Sequence, residues 1–353
     1  MNKILLFAAC ACFCMTACQA GLDSVSESEN GSLIVSLTTG GSPAVKSVTD
    51  VVGKESYLKD VQVFIFKTDG SLYQREVFPE NTAVHAISGV KSGYYKLAAV
   101  ANAPAMTGIQ TQSELEQQAI ALSLNDPQVG FLMYGATENN VMVSGSNDSP
   151  ATVTIDLTRH VSRVRLTTVQ NNLPSDCGSL KVEGVFLENG LGSWTLLASA
   201  APTVYVNYAG RKSGKNTSTS EADFITKASD AESAALTFQA VDRTVSRSET
   251  PESFNLPLYS FPNPLAMSDD HFGATAESSC TRLVLRASYG SPSESWYYPV
   301  TIPSMERNTS YDVSFVISGP GSKDPNQQVS NGNLSVEVRV VAWREGASYS
   351  GDF

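Results

Sequence analysis

The side chains best suited to catalysis are scattered along the chain. The three histidines are His85, His160 and His271. None lies in a His-Glu-x-x-His motif or has a second histidine at zinc-site spacing, and no Gly-x-Ser-x-Gly motif occurs. The acidic residues are dispersed along the chain, so no sequence feature supports a pair of catalytic carboxylates. We interpret His160, where a strand begins, as exposed, and we predict a protein that is not an enzyme and has no metal or cofactor.

Cys18 is open to a different chemistry, acylation. Residues 4–17 carry no charge and follow Lys3, which is the pattern of a secretory signal peptide. The run ends in Met-Thr-Ala-Cys, which resembles the lipobox of bacterial lipoproteins, where the cysteine is lipidated and becomes the first mature residue. We therefore predict a lipoprotein signal peptide over residues 1–17 and a lipid on Cys18. The alternative is a plain cleaved signal with an incidental cysteine.

Two cysteines, Cys177 and Cys280, follow the signal and Cys18. They could form one disulfide in an oxidising compartment or remain two separate thiols, and no pair of cysteines has metal-site spacing. The net charge of -11 at pH 7 argues against nucleic acid as a partner, because such binding needs a basic face. This charge suits an exported surface protein.

Apolar residues alternate with other residues in short segments throughout the chain, which predicts β-strands. In residues 32–39, for example, Leu33, Val35 and Leu37 share one face. The Asp69-Gly70 pair between two such segments predicts a hairpin turn.

Helical spacing occurs only in residues 111–124, behind a Ser-x-x-Glu cap. Short, evenly spaced strands with one minor helix predict a mostly β fold of antiparallel β-sandwiches. The length of 353 residues predicts two domains, and we place their boundary near Thr158, where one strand ends and another begins.

Six stretches of the chain, taken in order, resemble the fimbrillin family of Bacteroidetes, the pilins of type V pili. They are LKDVQVFIFKTDGSLYQ, GYYKLAAVANAP, LTRHVSRVRL, LYSFPNP, YYPVTIPSMERNTSYDVSFVISGPGS and LSVEVRVVAW. Their order, combined with the lipobox and the final tryptophan strand, is more specific than any one stretch. The resemblance implies two transthyretin-like antiparallel β-sandwich domains in tandem, export to the outer membrane as a lipoprotein, and polymerisation into fimbriae at the cell surface.

The resemblance also implies that an outer-membrane-associated protease cuts after a basic residue and removes the first strand. Lys46 is the only basic residue between Gln19 and Gly53, which predicts a cut between Lys46 and Ser47. The best-known family members are cut after arginine, so this chain differs in offering a lysine. The predicted segments are a propeptide at 18–46, an N-terminal domain at 47–158 and a C-terminal domain at 159–353.

The removable strand is the segment that contains Leu33, Val35 and Leu37. If these side chains pack in the sandwich, their departure exposes apolar pockets and unpaired backbone groups. Such an edge accepts a strand from another chain.

The candidate donor is the strand at 334–343, which follows a proposed hinge at 319–333. Its apolar residues are Leu334, Val336, Val338, Val340 and Trp343. Val341 and Trp343 have the opposite phase to the earlier valines, which indicates a bulge or a passage from one surface to another. The alternative is that this segment is only the last core strand of the C-terminal domain.

These features predict a structural pilin subunit that is exported as a lipoprotein, trimmed, and polymerised by strand exchange for adhesion or biofilm formation. The expected partners are copies of itself, other fimbrial subunits and, through the lipid of the precursor, the outer membrane. The sequence also leaves open a ligand on a host or bacterial surface. Two alternatives remain: a lipid-anchored fimbrial anchor or tip accessory subunit, and a monomeric surface module that binds glycans.

Overall fold

The structure is mostly β, as the alternating pattern predicts. It is a computed structural model that describes residues 30–39, 42–43, 55, 57–80, 82–197, 208–209, 234–265, 280–290, 293–302 and 304–343. Within these ranges the helical elements are α1 (Gln112–Glu116), α2 (Ala234–Thr237) and two 3-10 turns at Leu122–Leu124 and Ser175–Cys177. The predicted mostly β fold of the sandwich type is confirmed. None of the described helices is long and apolar enough to span a membrane.

Nine strands from the first part of the chain form one mixed sheet. The strands of this part are β1 (Asn30–Thr39), β2 (Ser42–Pro43), β3 (Val61–Lys67), β4 (Leu72–Phe78), β5 (Val84–Lys91), β6 (Gly93–Ala101), β7 (Ala119–Ala121), β8 (Met133–Ala136), β9 (Val141–Val143) and β10 (Ala151–Arg159). The order in the sheet is β2-β1-β10-β8-β6-β3-β4, with β5 paired to β1 and β9 paired to β6, and β7 lies outside it. Leu33 of β1, Ile65 of β3 and Ile87 of β5 share one core, so the sheet bends around it.

Two four-stranded sheets are built from the second part. Its strands are β11 (Ser162–Asn171), β12 (Leu180–Glu188), β13 (Gly190–Leu191), β14 (Ser193–Thr195), β15 (Tyr208–Ala209), β16 (Phe238–Val245), β17 (Glu252–Ser260), β18 (Arg282–Tyr289), β19 (Glu294–Thr301), β20 (Thr309–Ile317) and β21 (Leu334–Ala342). The sheet orders are β17-β11-β20-β21 and β16-β12-β18-β19. Leu166 of β11, Leu285 of β18 and Val313 of β20 share a core, so the two sheets face each other as a β-sandwich.

Strand β3 is buried on both faces. Val63 packs in the core of the first sheet, whereas Phe64 and Phe66 pack in a separate cluster that contains residues from both parts of the chain. We name this cluster the junction cluster, and its large members include Phe64, Phe66, Phe131, Trp194, Tyr259, Phe261 and Trp343. The uninterrupted burial of β3 follows from having a core on either side.

The predicted hairpin joins β3 to β4. Gly70 has a φ of 83°, which a glycine adopts without strain. The Lys67 N–H donates to the Ser71 oxygen at 2.9 Å, and Asp69 Oδ1 accepts from the Ser71 N–H at 2.9 Å. The Asp-Gly signal is therefore confirmed by a closed turn.

Two strand pairs are parallel, although the sequence predicted antiparallel sandwiches. β1 is parallel to β10, and β11 is parallel to β20. Each of these first strands also has an antiparallel neighbour, β5 for β1 and β17 for β11. Parallel partners need a long connection, and here the partner strand comes late in the same part of the chain, so no local sequence signal could reveal the pairing.

The predicted helix at 111–124 is wrong beyond Glu116. The cap of α1 is Thr111, whose hydroxyl accepts from the Glu114 N–H at 3.2 Å, and the Ser-x-x-Glu motif does not serve as the cap. Ala119 belongs to β7, which pairs with β14 from the second part of the chain. Strand pairing over this long range has overridden the helical spacing.

The change between the main sheets occurs close to the predicted domain boundary. β10 ends at Arg159 and β11 begins at Ser162, and these two strands belong to different sheets. The β7–β14 pair and the junction cluster connect the two parts. The boundary near Thr158 and the tandem transthyretin-like arrangement remain predictions.

Candidate functional site

Strand β1 places the three residues of the predicted removable strand in the core of the first sheet. Leu33, Val35 and Leu37 are 0%, 0% and 2% exposed. β1 lies between two partners, with Val35 opposite Val153 of β10 and opposite His85 of β5. The strand therefore fills a position that has a neighbour on both sides and a core beneath it.

Both ends of β1 are also fitted to their surroundings. A Cβ atom at Gly31 would overlap the backbone oxygen of Ser144, so only glycine fits there. At the other end, the Thr38 hydroxyl donates to Asp156 Oδ1 of β10 at 2.9 Å. Close packing at one end and a hydrogen bond at the other fix the position of the strand along its length.

Strand β21, the candidate donor, lies at the edge of its sheet. Among the described strands it pairs only with β20, and the pairing contains no register shift, so the predicted bulge is absent from this strand. The side chains of Leu334, Val336 and Val338 are half-buried against the core of the β-sandwich in the second part of the chain, whereas Val340 is 64% exposed. The strand is therefore docked on one face and unpaired along one edge.

Trp343 directly follows β21 and enters the junction cluster, which fits the predicted passage to another surface. It is 3% exposed. Its ring stacks with Tyr259 at a centroid distance of 5.8 Å and meets Phe131 edge-on at 5.5 Å. The guanidinium carbons of Arg159 and Arg163 each lie 4.8 Å from the ring centroid, which is a favourable cation–π distance.

The carboxylate of Glu55 joins the groups around Trp343. Glu55 Oε2 accepts from Trp343 Nε1 at 2.8 Å and from Arg163 Nη1 at 3.0 Å. Glu55 Oε1 accepts from the Tyr259 hydroxyl at 2.6 Å, and the Glu55 backbone oxygen accepts from Arg159 Nε at 3.0 Å. We name these five residues the Glu55 network. Because Glu55 is only 5% exposed, its hydrogen bonds act in a region of low dielectric, where they are strong.

Two further features support the Glu55 network. Burial and the neighbouring Glu55 carboxylate raise the pKa of Tyr259 well above its ordinary value, so its hydroxyl remains a donor. Arg159 Nη1 donates to Asn308 Oδ1 at 2.9 Å and to the Trp343 backbone oxygen at 3.4 Å. Arg159 therefore holds both the backbone and the ring of Trp343.

His160 is buried, which contradicts the predicted exposed position. It is 1% exposed, its ring lies 6.2 Å from that of Tyr134, and neither ring nitrogen has a hydrogen-bond partner. Burial, together with the positive charge of Arg307, lowers the pKa of His160 to about 3. The prediction failed because the start of β11 is covered by residues that are distant in the sequence.

Three predicted site residues, Cys18, Lys46 and Ser47, lie outside the described residues. Cys177, which is partly exposed, and Cys280, which is buried, are not joined in a disulfide. In the described ranges, no group of three or more His, Cys, Asp or Glu side chains is placed to hold a metal ion.

Sequence reasoning missed the Glu55 network. Glu55 carries no periodic or motif signal, and its partners are far away in the chain. A weak signal was present in β10 and β11, where Arg159, Arg163 and Arg165 alternate with other residues near buried Val161. Arg163 and Arg165 lie on the face of β11 opposite buried Val164 and Leu166, and each pairs with a carboxylate, Arg163 with Glu55 and Arg165 with Asp312.

Several solved structures of bacterial proteins share this fold. A protein assigned to cell adhesion from Bacteroides eggerthii DSM 20697 has a TM-score of 0.66 at 20% identity, covering 89% of this chain and 96% of that one. A fimbrilin from Porphyromonas gingivalis W83 has a TM-score of 0.57 at 15% identity, covering 89% and 98%. The C-terminally truncated tip fimbrial protein Mfa3 from Porphyromonas gingivalis has a TM-score of 0.53 at 12% identity, covering 89% and 100%. The chain thus has the β-sandwich fold of fimbrillins.

The family model described as fimbrillin-A associated anchor proteins Mfa1 and Mfa2 matches residues 52–345, and the chain belongs to this family. A comparison with curated proteins gave no match. The implied fimbrillin relationship is confirmed, and the protein is a fimbrial component of the cell surface.

Proposed function

We propose that this protein is a fimbrial subunit that is exported as a lipoprotein, trimmed after Lys46 and joined to its neighbours by strand exchange. The observation that best supports this function is the position of β1. The strand is buried in the core of the first sheet, yet the chain that connects it to Glu55 and β3 contains Lys46. One cut in that connection converts β1 into a separate peptide held by non-covalent contacts.

The energetics of β1 explain why the cut acts as a switch. Burying Leu33, Val35 and Leu37 contributes roughly 1.5 to 3 kcal/mol for each side chain. While β1 is tethered, its effective concentration is high, so an outside strand cannot easily displace it. After the cut, β1 can diffuse away and leave β5 and β10 with unpaired backbone groups, which accept an extended strand.

The proposed donor is β21 of a neighbouring copy. Among the described strands it pairs with β20 alone, so this is the strand pairing it must break to leave its own sheet. The half-buried residues Leu334, Val336 and Val338 have the same two-residue spacing as the three buried residues of β1. A strand with that spacing can refill the vacated apolar positions and restore the backbone hydrogen bonds.

The lipid on Cys18 would hold the precursor at the outer membrane. Cys18 and β1 lie on the same side of Lys46 in the sequence, so a single cut separates both from the rest of the chain. A trimmed subunit would then leave the membrane and enter the fimbria, with copies of itself and other fimbrial subunits as its partners. Ligands on host or bacterial surfaces would contact the assembled fibre.

Electron microscopy of sheared surface material tests this function. Wild-type cells should yield filaments that contain the chain, and Lys46→Ala should instead accumulate as lipid-bound or soluble monomer. Lys54→Ala is the matched control, because it removes a nearby lysine and should leave assembly unchanged. Normal filaments from Lys46→Ala would show that cleavage at this site does not control assembly.

A fimbrial anchor is the second candidate function. The matching family model is described as one of anchor proteins, and the chain has Lys46 where the best-known fimbrillins are cut after arginine. An uncut chain would keep its lipid in the assembled fimbria. A fatty-acid probe retained by the assembled subunit and lost in Cys18→Ser supports the anchor, whereas an unlabelled assembled subunit supports the trimmed form.

A further inference from the structure

Glu55 lies just before a segment that hydrogen bonds hold in place. On its C-terminal side, Asn102 Nδ2 donates to the Tyr57 oxygen at 2.6 Å, and Asn102 Oδ1 accepts from the Lys59 N–H at 2.8 Å. On its N-terminal side, the chain leads through Lys46 to β1. In the uncut chain Glu55 is therefore tied from both directions, and after a cut at Lys46 it is tied from one.

The end of β21 depends on the Glu55 carboxylate. β21 is a half-buried edge strand, whereas the adjoining Trp343 is deeply buried and its Nε1–H donates to Glu55 Oε2 at 2.8 Å. Displacement of Glu55 would remove the acceptor of this buried indole and of the Tyr259 hydroxyl. It would also take the negative charge away from the Arg163 guanidinium and the backbone acceptor away from Arg159 Nε. Both effects disfavour the docked position of Trp343.

We propose that Glu55 is a latch that keeps β21 docked in the uncut chain and that loosens when the chain is cut at Lys46. This inference rests on the proposed function, because it uses the same cut and the same donor strand. Losing one of two tethers lowers the effective concentration of Glu55 at Trp343, and a new chain end frays more readily than an internal segment. One cut therefore opens the groove of β1 and also makes β21 easier to detach. An uncut copy neither accepts a strand nor donates one.

Hydrogen exchange in the full-length, uncut chain tests the latch directly. Glu55→Gln keeps the size of the side chain but removes its charge and replaces one acceptor oxygen with a donor. Because a hydrogen bond to a charged group is worth more than a kcal/mol, residues 334–343 should exchange about tenfold faster in this variant. β1 and β12 should exchange as in the wild type. Wild-type protein that has been cut at Lys46 but retains β1 should show the same acceleration in residues 334–343.

A matched pair of tryptophan variants separates the latch from general packing. Trp343→Phe keeps an aromatic ring in the junction cluster and removes the N–H that Glu55 accepts, so it should also accelerate exchange in residues 334–343. Trp194 lies in the same cluster, and its Nε1 has no hydrogen-bond partner. Trp194→Phe should therefore leave the exchange of residues 334–343 unchanged.

Three results would overturn the latch. The first is wild-type exchange of residues 334–343 in both Glu55→Gln and Trp343→Phe. The second is wild-type exchange of these residues in protein that has been cut at Lys46 but retains β1. The third is a uniform acceleration that includes β12, because it would show a loss of global stability instead of local release. The outcome is independent of assembly, because exchange is measured on monomers. If Lys46→Ala still forms filaments while residues 334–343 exchange faster both in Glu55→Gln and after the cut, the proposed control of assembly by cleavage fails and the latch stands.

Discussion

Arg282 and Glu188 form a buried ion pair on the face of β12 and β18 that points away from the core of the second sandwich, with Arg282 Nη1 3.5 Å from Glu188 Oε1 and both side chains at 0% exposure. Arg282 Nη1 also donates to Asn326 Oδ1 at 2.6 Å. Asn326 belongs to the 319–333 segment that precedes β21. The ion pair therefore connects β12, β18 and the chain that leads to the candidate donor strand.

Glu188→Gln should destabilise the protein strongly. Replacing the carboxylate removes the negative charge beside the buried Arg282 guanidinium, so the free energy of unfolding should fall by about 3–5 kcal/mol. Glu294→Gln is the control, because the Glu294–Lys323 pair is exposed by 55% and 57% and should contribute less than about 1 kcal/mol. Urea denaturation measures both values, and equal losses would show that burial of the Arg282–Glu188 pair has no special effect.

His160 should make stability depend on pH. Its pKa is about 3 in the folded chain and about 6.5 when unfolded, so between these values the unfolded state binds more protons. The free energy of unfolding therefore rises with pH across this window, and the contribution of His160 to it is lost as the pH falls. At 1.36 kcal/mol for each pKa unit, His160 should account for a loss of about 2 kcal/mol between pH 7 and pH 5.

His160→Phe isolates this contribution because phenylalanine does not titrate and suits an apolar site. Urea denaturation of the variant at pH 7 and pH 5 should show a smaller pH effect than the wild type by that amount. His85→Phe, measured in the same way, controls for the loss of a histidine elsewhere in the chain. An unchanged pH effect in His160→Phe would mean that His160 is not the group responsible.

Local patterns predicted the parts of this fold that depend on local physics. The alternation around Val35 predicted β1 and its buried face, and the Asp69-Gly70 pair predicted the hairpin between β3 and β4. These signals work because strand faces and turn geometry are set by neighbouring residues.

Features that depend on distant residues were not accessible from the sequence. The β7–β14 pairing makes a strand of residues that the sequence predicted as helix. The residues that bury His160 come from elsewhere in the chain. The Glu55–Trp343 hydrogen bond joins residues 288 positions apart. A periodic sequence pattern reports only on neighbouring residues, so it cannot predict such a contact. The Glu55 network is visible only in the folded structure, where the two parts of the chain meet.

Gly31 should control how well β1 is retained. Gly31→Ala places a methyl group against the Ser144 backbone oxygen, so the strand or its neighbour must shift, at a cost of about 1–3 kcal/mol. Urea denaturation of the uncut chain should show this loss, and β1 should dissociate faster after a cut at Lys46. Gly332→Ala is the control, because its nearest neighbour beyond the adjoining residues is 4.0 Å away. Similar losses for the two variants would argue against tight packing at the start of β1.

Val340 provides the sharpest test of β21 as the donor strand. It is 64% exposed in the monomer, so Val340→Ser should change the free energy of unfolding by less than about 0.5 kcal/mol. If the donor runs in the direction of β1 with Leu334 in the position of Leu33, Val340 takes the buried position of Thr39. The substitution should then weaken assembly of trimmed subunits without affecting the monomer.

Val341→Ser is the matched control for this test. Val341 is 38% exposed and lies on the opposite face of β21, so its replacement should reduce assembly less than Val340→Ser does. The yield of oligomers after limited trypsin treatment, measured by size-exclusion chromatography, compares the two variants at equal monomer concentration. If both variants assemble as the wild type does, Val340 is not buried by assembly, and β21 is better explained as the last core strand of the second sandwich. A loss confined to Val340→Ser would instead require that face of β21 to enter a pocket on a neighbour, because the monomer buries little of this side chain.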